Sequence, residues 1–355
     1  MKLKSQVDKP DYKIPTMTEV EAMPWNGYNV VSTFSGVGGS CLGYRMAGYR
    51  VLWANEFMPA AQEIYKLNHP NSILNTDDIR DVTGQDILNA IDGQEIDIFD
   101  GSPPCDSFST AGKKSKLWGK EKKYYEKTQS TDDLFFDYAR LIKETQPKVF
   151  IAENVSGLVK GVSKGYFKII LQALRDCGYN VKARLLDAQW LGVPQARQRV
   201  IFIGVRNDLN LEPVFPSPLP YNYFVIDAIP DVLDESDDKI TPDNDIRPYA
   251  IYKFWKETKI GKSHKKWFNL TRIHSHRPAP TITGRAPTSA SQVCHPIHPR
   301  VMTIDELKLL QSFPSDFEFM GDVSKQRARI GLSVPPVMMS HIANTVRHQI
   351  LDKVK

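Results

Sequence analysis

The stretch that decides the fold is residues 28–56, YNVVSTFSGVGGSCLGYRMAGYRVLWANE. Residues 28–34 are rich in β-forming side chains and lead into a glycine-rich turn that begins at Gly36. The residues that follow predict a helix from Ser40 to Ala47 and then a second strand from Arg50 to Asn55. A strand, a helix and a second strand in this order are typical of a parallel α/β sheet.

The glycine turn also indicates a ligand, because Gly36 and Gly38 allow the backbone to approach a bound molecule closely. Glu56 follows Gly36 by 20 residues, at the tip of the next predicted strand, where a carboxylate can bind ribose hydroxyls. Cys41 stands where the dinucleotide fingerprint GxGxxG needs its last glycine, so NAD is disfavoured and S-adenosylmethionine is favoured. Asp78 comes after the third predicted strand, within reach of an adenine amino group. The alternative is a purely structural turn with a solvated aspartate.

Strands and helices go on alternating as far as residue 205, which predicts an α/β fold with a doubly wound, Rossmann-like and mostly parallel sheet. The later elements are predicted as strands at 96–100, 148–152, 179–186 and 199–205 and helices at 59–67, 132–145, 167–177, 303–312 and 336–351. Residues 206–250 are instead rich in proline, aspartate and asparagine. We therefore predict an N-terminal extension (1–27), an α/β domain (28–205), a smaller irregular domain (206–327) and a C-terminal helix that returns to the α/β domain (328–355).

The composition is that of a globular protein with a mild basic bias. Hydrophobic residues make up 41% and charged residues 25%, and the net charge of +5 favours a polyanionic partner. The four cysteines form no CxxC pair, which argues against a disulfide framework and a cysteine-rich zinc site. No apolar run approaches the ~20 residues that span a bilayer, and residues 1–12 lack a signal-peptide core. We expect no membrane association and a cytoplasmic location, or a nuclear one in a nucleated cell.

Cys105 is a candidate nucleophile. It ends the run Gly101-Ser-Pro-Pro-Cys105, which follows an apolar stretch that predicts a buried strand. Pro104 restricts its own backbone, so the loop is stiff where the sulfur is presented. Open α/β sheets bind ligands at the carboxyl ends of their strands. The alternative is a buried, inert cysteine.

Six segments, taken in this order, resemble the motifs of the DNA (cytosine-5)-methyltransferase family. They are Phe34-Ser-Gly-Val-Gly-Gly39, Gly101-Ser-Pro-Pro-Cys105 with Phe108-Ser109, Glu153-Asn-Val155, Gln195-Ala-Arg-Gln-Arg199, Leu310-Gln-Ser-Phe-Pro314 and Gly331-Leu-Ser-Val-Pro-Pro336. The similarity covers about residues 28–205 and 277–350. The family usually has asparagine at the position of Leu332, which puts a contact near the flipped base or the catalytic loop in doubt.

The resemblance implies methyl transfer from S-adenosylmethionine to C5 of a cytosine flipped out of duplex DNA, with S-adenosylhomocysteine as the product. Cys105 is then the thiolate that adds to C6, and a protonated Glu153 stabilises the charge at N3 of the ring. Arg197 and Arg199, two residues apart, are predicted to point to one face, Arg199 to O2 of the base and Arg197 to phosphate or the catalytic loop. The alternative for Glu153 is a carboxylate that stabilises a helix N-terminus. The alternative for Arg197 and Arg199 is a solvated arginine pair.

The resemblance also assigns the cofactor site, partly to backbone. The assigned residues are Phe34, Ser35, Gly36, Gly38, Gly39, Glu56, Asp78, Ile79, Pro104, Ser333 and Val334.

Two basic segments are predicted to bind DNA. A lysine-rich run after Cys105 has the composition of a loop that closes over phosphates. Between Lys253 and Arg277 eight Lys or Arg residues are interleaved with aromatic ones, within a region of about 206–276 that is expected to recognise a short target. The candidate DNA contacts are Lys113, Lys114, Lys116, Lys265, Lys266, Arg272 and Arg277.

No metal site is predicted. His274 and His276, and Cys294 with His295 and His298, lie in irregular segments without a second cysteine pair or an HExxH motif.

These observations favour a monomeric prokaryotic-type or phage-type DNA cytosine-5 methyltransferase, acting alone or beside a separately encoded restriction endonuclease. A tRNA cytosine-5 methyltransferase on the same fold is the first alternative, and the basic insert argues only mildly against it. A DNA-binding relative without turnover is the second, kept open by Leu332. An NAD-dependent enzyme is excluded by the glycine spacing and leaves Cys105 unexplained.

Overall fold

The structure is a computed structural model that describes residues 9–104, 122–124, 127–129, 133–159, 164–236, 239–265, 270–284 and 293–354. By its internal contacts the chain divides into two units. The smaller unit comprises Met1–Val20, Asp187–Arg197 and Ser217–Met338, and the larger unit comprises Glu21–Leu186, Gln198–Pro216 and Met339–Lys355. The predicted domain boundaries stay a prediction. This division differs from them because it assigns residues 187–197 and 328–338 to the smaller unit and 206–216 to the larger unit, and divides the predicted N-terminal extension between the two.

The larger unit is built on a sheet of seven strands within the described residues, in the order β3-β2-β1-β4-β7-β10-β8. In chain order, the described strands as far as residue 206 are β1 (Asn29–Thr33), β2 (Arg50–Asn55), β3 (Ile73–Asn75), β4 (Ile98–Gly101), β5 (Lys122–Tyr124), β6 (Lys127–Gln129), β7 (Val149–Val155), β8 (Tyr179–Asp187), β9 (Gln195–Ala196) and β10 (Gln198–Arg206). Of these, β9 belongs to the smaller unit. Neighbours from β3 to β7 run parallel, and β10 runs antiparallel to β7. The predicted doubly wound, mostly parallel α/β sheet is confirmed.

Each predicted helix has an observed counterpart within a few residues, and the structure adds helices at 17–21, 84–90, 225–228, 251–257 and 323–332 that were not predicted. Eleven α-helices occur among the described residues. They are α1 (Met17–Glu21), α2 (Gly39–Met46), α3 (Pro59–Asn68), α4 (Gly84–Ala90), α5 (Leu134–Thr145), α6 (Lys164–Asp176), α7 (Val225–Ala228), α8 (Ile251–Glu257), α9 (Ile304–Leu310), α10 (Val323–Leu332) and α11 (Pro336–Gln349). None of them, in the part of the chain that is described, is long and apolar enough to cross a membrane.

Helix α5 shows why these segments pack as they do. Leu134, Tyr138, Leu141 and Ile142 recur at helical spacing and are all buried in the core of the larger unit. The Tyr138 hydroxyl donates to the carbonyls of Phe99 in β4 and Ile151 in β7. The helix therefore joins the two strands whose carboxyl ends carry the candidate catalytic segments.

The smaller unit has a short three-stranded sheet among its described residues, made by β11 (Lys262–Ser263), β12 (Thr271–Arg272) and β14 (Val293–Cys294). A further strand, β13 (Ala279–Pro280), pairs with β9. Helix α9 begins with a capping box between Thr303 and Glu306. Arg300, which is 1% exposed, donates to both carboxylate oxygens of Glu306 at 2.7 and 2.8 Å. This buried bidentate pair ties the segment before α9 to its first turn.

Candidate active site

The glycine turn between β1 and α2 adopts the backbone that its sequence requires. Phe34, Gly36 and Gly38 have positive φ values of 53°, 57° and 88°. The N–H of Gly36 donates to Glu56 at 2.7 Å, and the N–H of Met58 donates to the other oxygen of that carboxylate at 2.7 Å. A side chain added at Gly36 would meet nothing within 4 Å, so the space over this residue is open. Glu56 thus holds the turn from the tip of β2.

A buried carboxylate that sequence reasoning missed lies beneath the turn. Asp100, near the end of β4, is 2% exposed and accepts hydrogen bonds from the hydroxyls of Ser32, Ser40 and Tyr44 at 3.0, 2.8 and 3.1 Å. Burial raises the pKa of Asp100 to about 6, and the hydroxyl hydrogen bonds oppose that rise. The signal in the sequence was a charged residue directly after the apolar run that ends at Phe99. These hydroxyls connect β1, α2 and β4 on the two sides of the turn.

Asp78 and Ile79 follow β3 at the same edge of the sheet. Ile79 is 3% exposed and packs in the core of the larger unit. The Asp78 carboxylate is half-buried and accepts from Arg80, at 3.1 Å from its backbone and 2.9 Å from its side chain. An adenine amino group would therefore share this carboxylate with Arg80.

The segment that carries the candidate nucleophile lies beside the Glu153 segment. Parallel pairing matches Gly101 of β4 with Ala152 of β7, so the two strands end next to each other. The buried Asn154 amide donates to the carbonyl of Pro103 at 3.1 Å. Cys105 itself lies outside the described residues. Asn154 therefore binds the chain two residues before the predicted nucleophile.

Glu153 and Arg199 form an ion pair across neighbouring strands. The Arg199 Nε is 2.7 Å from Glu153 Oε1, and the two side chains are 14% and 11% exposed. The antiparallel register of β7 and β10 pairs Glu153 with Ile201 and Arg199 with Val155, which makes the two charged residues diagonal neighbours. An arginine that donates to this carboxylate orients it from the side.

The expectation that Arg197 and Arg199 share one face is wrong. Arg197 falls between β9 and β10 instead of inside one strand, and it is 1% exposed. Its guanidinium donates to the carbonyls of Ile282, Gly331 and Ser333 at 2.9, 3.1 and 2.9 Å. Arg197 therefore joins two backbone segments of the smaller unit, at residue 282 and at residues 331–333, and its described donors are directed at the protein itself.

The segment of Ser333 and Val334 belongs to the smaller unit. The Ser333 carbonyl accepts from the guanidinium of Arg197 and, at 2.7 Å, from the side-chain amide of Gln311. The Ser333 hydroxyl donates to the backbone carbonyl of Arg329 at 2.7 Å. Leu332, the departure from the family pattern, is 44% exposed. A side chain added at Gly284 would collide with Leu332, so this leucine covers that glycine.

The predicted DNA contacts are only partly described by the structure. Lys113, Lys114, Lys116 and Lys266 lie outside the described residues. Lys265 and Arg277 are exposed. Arg272, in contrast, stacks on Trp255 at 4.1 Å and donates to the carbonyls of Pro296 and Thr258 at 2.7 and 3.2 Å. The geometry of Arg272 supports a role in folding the smaller unit more than one in binding a phosphate.

No group of three or more His, Cys, Asp or Glu side chains that could hold a metal ion occurs among the residues with described positions.

The sheet is Rossmann-like, with a glycine turn after β1 and Glu56 at the tip of β2. In the sequence, β4 is followed by Pro-Pro-Cys. Together these features define a class I methyltransferase fold. The family profile of C-5 cytosine-specific DNA methylases matches residues 28–348. The chain therefore belongs to the C-5 cytosine-specific DNA methylase family, and it is a DNA (cytosine-5)-methyltransferase.

Relatives with known names agree with this assignment. The chain is 31% identical to the type II methyltransferase M.Sau96I of Staphylococcus aureus, across 99% of this chain and 83% of that protein. It is 30% identical to the type II methyltransferase M1.HphI of Haemophilus parahaemolyticus, across 89% of this chain and 86% of that protein.

Solved structures share the fold. One, described as a DNA modification methyltransferase encoded within an E. coli prophage, has a TM-score of 0.72 at 24% identity and covers 92% of this chain and 100% of its own. The Dnmt2 methyltransferase of S. pombe has a TM-score of 0.64 at 17% identity, with 90% and 98% coverage.

Proposed function

We propose that this enzyme methylates C5 of a flipped cytosine in a short duplex sequence through a covalent bond between Cys105 and C6. The observation that carries the proposal is the hydrogen bond from Asn154 to Pro103, which joins the Glu153 segment to the chain two residues before Cys105 in the sequence. C5 of cytosine is a weak nucleophile, and a group that adds at C6 and an acid at N3 are the two aids that its chemistry needs. The Cys105 segment supplies the group that adds at C6, and the Glu153 segment supplies the acid at N3.

The glycine turn fits S-adenosylmethionine. The open space over Gly36 allows close approach of a ligand to the backbone, and Glu56 lies at the strand tip, where a carboxylate can accept from ribose hydroxyls. S-adenosylmethionine, when bound, supplies the electrophilic methyl group. We propose the binding residues as Phe34, Ser35, Gly36, Gly38, Gly39, Glu56, Asp78, Ile79, Pro104, Ser333 and Val334.

The steps of the chain's own residues follow from their chemistry. The Cys105 thiolate forms a bond to C6 as the C5–C6 double bond opens, and the proton that Glu153 holds at N3 stabilises the electron-rich ring that results. Arg199 holds the Glu153 side chain by the 2.7 Å contact and extends toward O2 of the base. C5 then forms a bond to the methyl carbon as the carbon–sulfur bond of the sulfonium breaks. Water takes the remaining proton at C5, the electron pair of that C–H bond re-forms the C5–C6 double bond, and the sulfur of Cys105 leaves as a thiolate. Arg197 acts by holding backbone segments of the smaller unit in place.

The partner is double-stranded DNA, with exposed Lys265 and Arg277 among the proposed contacts. The names of the type II relatives support a place in restriction–modification. We further propose a monomeric enzyme that acts beside a separately encoded endonuclease. A mildly basic chain with a net charge of +5 suits such a partner.

The nucleophile is tested with duplex DNA that carries 5-fluorocytosine at the target. Fluorine cannot leave as a cation, so the covalent adduct should accumulate with the wild-type protein and S-adenosylmethionine. Cys105→Ser should form none. Cys177→Ser is the matched control, because this buried thiol only donates to the carbonyls of Ala139 and Ala173 and a hydroxyl can do the same. An adduct that persists in Cys105→Ser would overturn the assignment.

The substrate is tested by offering tritiated S-adenosylmethionine with plasmid DNA and, separately, with tRNA. Label in DNA is expected, and bisulfite sequencing of that DNA then gives the target. Label in tRNA alone would contradict the proposed substrate. Glu153→Gln should lower kcat by about 100-fold, because an amide cannot transfer the proton, whereas Glu63→Gln on the exposed face of α3 should leave kcat unchanged.

A further inference from the structure

The turn that ends helix α9 contains a strained residue. Ser312 has a positive φ of 63° and is fully buried. Its N–H donates to the carbonyl of Leu309 at 3.1 Å, and the N–H of Phe313 donates to the carbonyl of Lys308 at 2.9 Å. These are the two hydrogen bonds of a Schellman motif, in which the residue of positive φ is usually glycine. Serine costs more free energy than glycine at this position because it has a Cβ atom, and residues held in such strain often serve a function.

The Ser312 hydroxyl accepts a hydrogen bond from the beginning of another helix. Val337 lies in the first turn of α11, where backbone N–H groups have no partner within the helix. Its N–H donates to Ser312 Oγ at 3.2 Å. The serine thus does for α11 what a capping side chain does, but from 25 residues earlier in the chain. Glycine at residue 312 would remove the strain and this acceptor together.

Gln311, the residue before this serine, holds the other end of the same segment. It is fully buried, and its Nε2 donates to the carbonyl of Ser333 at 2.7 Å. The direction of this amide is set by a backbone donor two hydrogen bonds away. The N–H of Ile282 donates to Oε1 of Gln195 at 3.1 Å, so Nε2 of Gln195 faces Oε1 of Gln311, at 2.6 Å. Gln311 therefore presents its amide donor to the Ser333 carbonyl.

The two contacts restrain a short segment from both ends. Residues 333–337 read Ser-Val-Pro-Pro-Val, and each proline restricts its own φ to about −65°. We propose that Gln311 and Ser312 are positioning residues, which hold segment 333–337 in the backbone conformation that binds S-adenosylmethionine. The proposal rests on the assignment of Ser333 and Val334 to the cofactor site.

Loss of either contact should weaken cofactor binding. Without the Ser312 acceptor or the Gln311 donor, segment 333–337 samples further backbone conformations. Binding must then select the competent one, which raises the apparent Kd for the cofactor. The strain at Ser312 is on this view the cost of holding Val337 from a turn that glycine would form more easily.

The test combines titration calorimetry with S-adenosylmethionine, in the absence of DNA, and urea denaturation of the same full-length variants. Ser312→Gly removes the hydroxyl and relieves the strain, so we expect about a 5-fold rise in Kd, as for one lost hydrogen bond, without loss of stability. Ser312→Ala should raise Kd equally but lower the free energy of unfolding, because the strain remains. Ser315→Ala removes an exposed hydroxyl close by and should match wild type in both measurements.

A second variant tests the other end of the segment. Gln311→Met removes the amide donor, while Arg197 still donates to the Ser333 carbonyl, so we expect a smaller rise in Kd of about 3-fold. Wild-type affinity in Ser312→Gly or in Gln311→Met would overturn the proposal. Failure of the wild-type protein to bind S-adenosylmethionine would instead overturn the proposed cofactor site.

Discussion

Replacement of Asp100 by asparagine tests how the buried carboxylate affects stability. Asp100 is 2% exposed and accepts hydrogen bonds from three hydroxyls, those of Ser32, Ser40 and Tyr44. No cation lies within ion-pair distance of it among the described residues. The charge is therefore solvated only by neutral donors. Asparagine has the same shape and cannot ionise. Its oxygen can still accept from Ser32 and Ser40, while its NH2 group faces the Tyr44 hydroxyl, which can accept from it.

The magnitude follows from the pKa of the carboxyl. The ordinary value is 3.8, and burial raises the pKa of Asp100 to about 6. The difference corresponds to about 3 kcal/mol, because one pH unit is worth about 1.4 kcal/mol. A raised pKa means that the folded state binds the proton more tightly than the unfolded state does. The contribution of Asp100 to the free energy of unfolding is therefore fully present below about pH 4, where the carboxyl is protonated, and is lost as the pH rises through about 6.

The assay is urea denaturation of wild type and Asp100→Asn at intervals from pH 4 to pH 8. The free energy of unfolding of wild type, minus that of the variant, should fall by about 3 kcal/mol between about pH 4 and 6 and stay level above that. Asp86→Asn is the matched control with the opposite sign, because hydrogen bonds from Thr83 lower the pKa of Asp86. A difference between wild type and Asp100→Asn that does not change with pH would refute the reasoning.

Three further substitutions probe the packing around the site. Arg197→Met should destabilise the protein by about 3 kcal/mol, since the buried carbonyls of Ile282 and Gly331 lose this donor, while the carbonyl of Ser333 keeps Gln311; an unchanged midpoint in chemical denaturation would contradict this. Arg300→Met should cost about 3–5 kcal/mol at neutral pH, because its carboxylate partner stays buried and charged, and thermal unfolding that matches wild type would refute it. Gly38→Ala should lower the melting temperature more than Gly93→Ala, as both have positive φ but only the first places a methyl group against His69; equal losses would exclude the clash.

Local pattern was enough to predict most elements of the larger unit, although not α4, β5 or β6. The glycine turn, α2 and β2 lie within a residue or two of the predicted positions. Each depends on neighbours in the chain, namely on β-forming runs, glycines with positive φ and apolar residues at helical spacing. The positions of Glu56 and Glu153 at or near strand tips were predictable for the same reason.

The partners of the charged side chains were not predictable. The sequence placed Arg197 and Arg199 together, yet one donates to carbonyls of residues 282, 331 and 333 and the other to Glu153. Arg197 lies between β9 and β10 and outside both strands, so the regular alternation of side chains along one strand does not apply to it. The pattern did not identify Asp100 or His69, because nothing local distinguishes a buried polar residue from a solvated one.

By itself the sequence determined the order of strands and helices, the positions of the family motifs and the presence of a glycine turn, since these depend on residues adjacent in the chain. Only the tertiary structure decided that Asn154 binds Pro103, that Arg199 pairs with Glu153 and that His69 lies against Gly38. Such contacts join residues far apart in sequence. They depend on strand register and on which side chains are withdrawn from water, and both are set only when the sheet and its helices pack together.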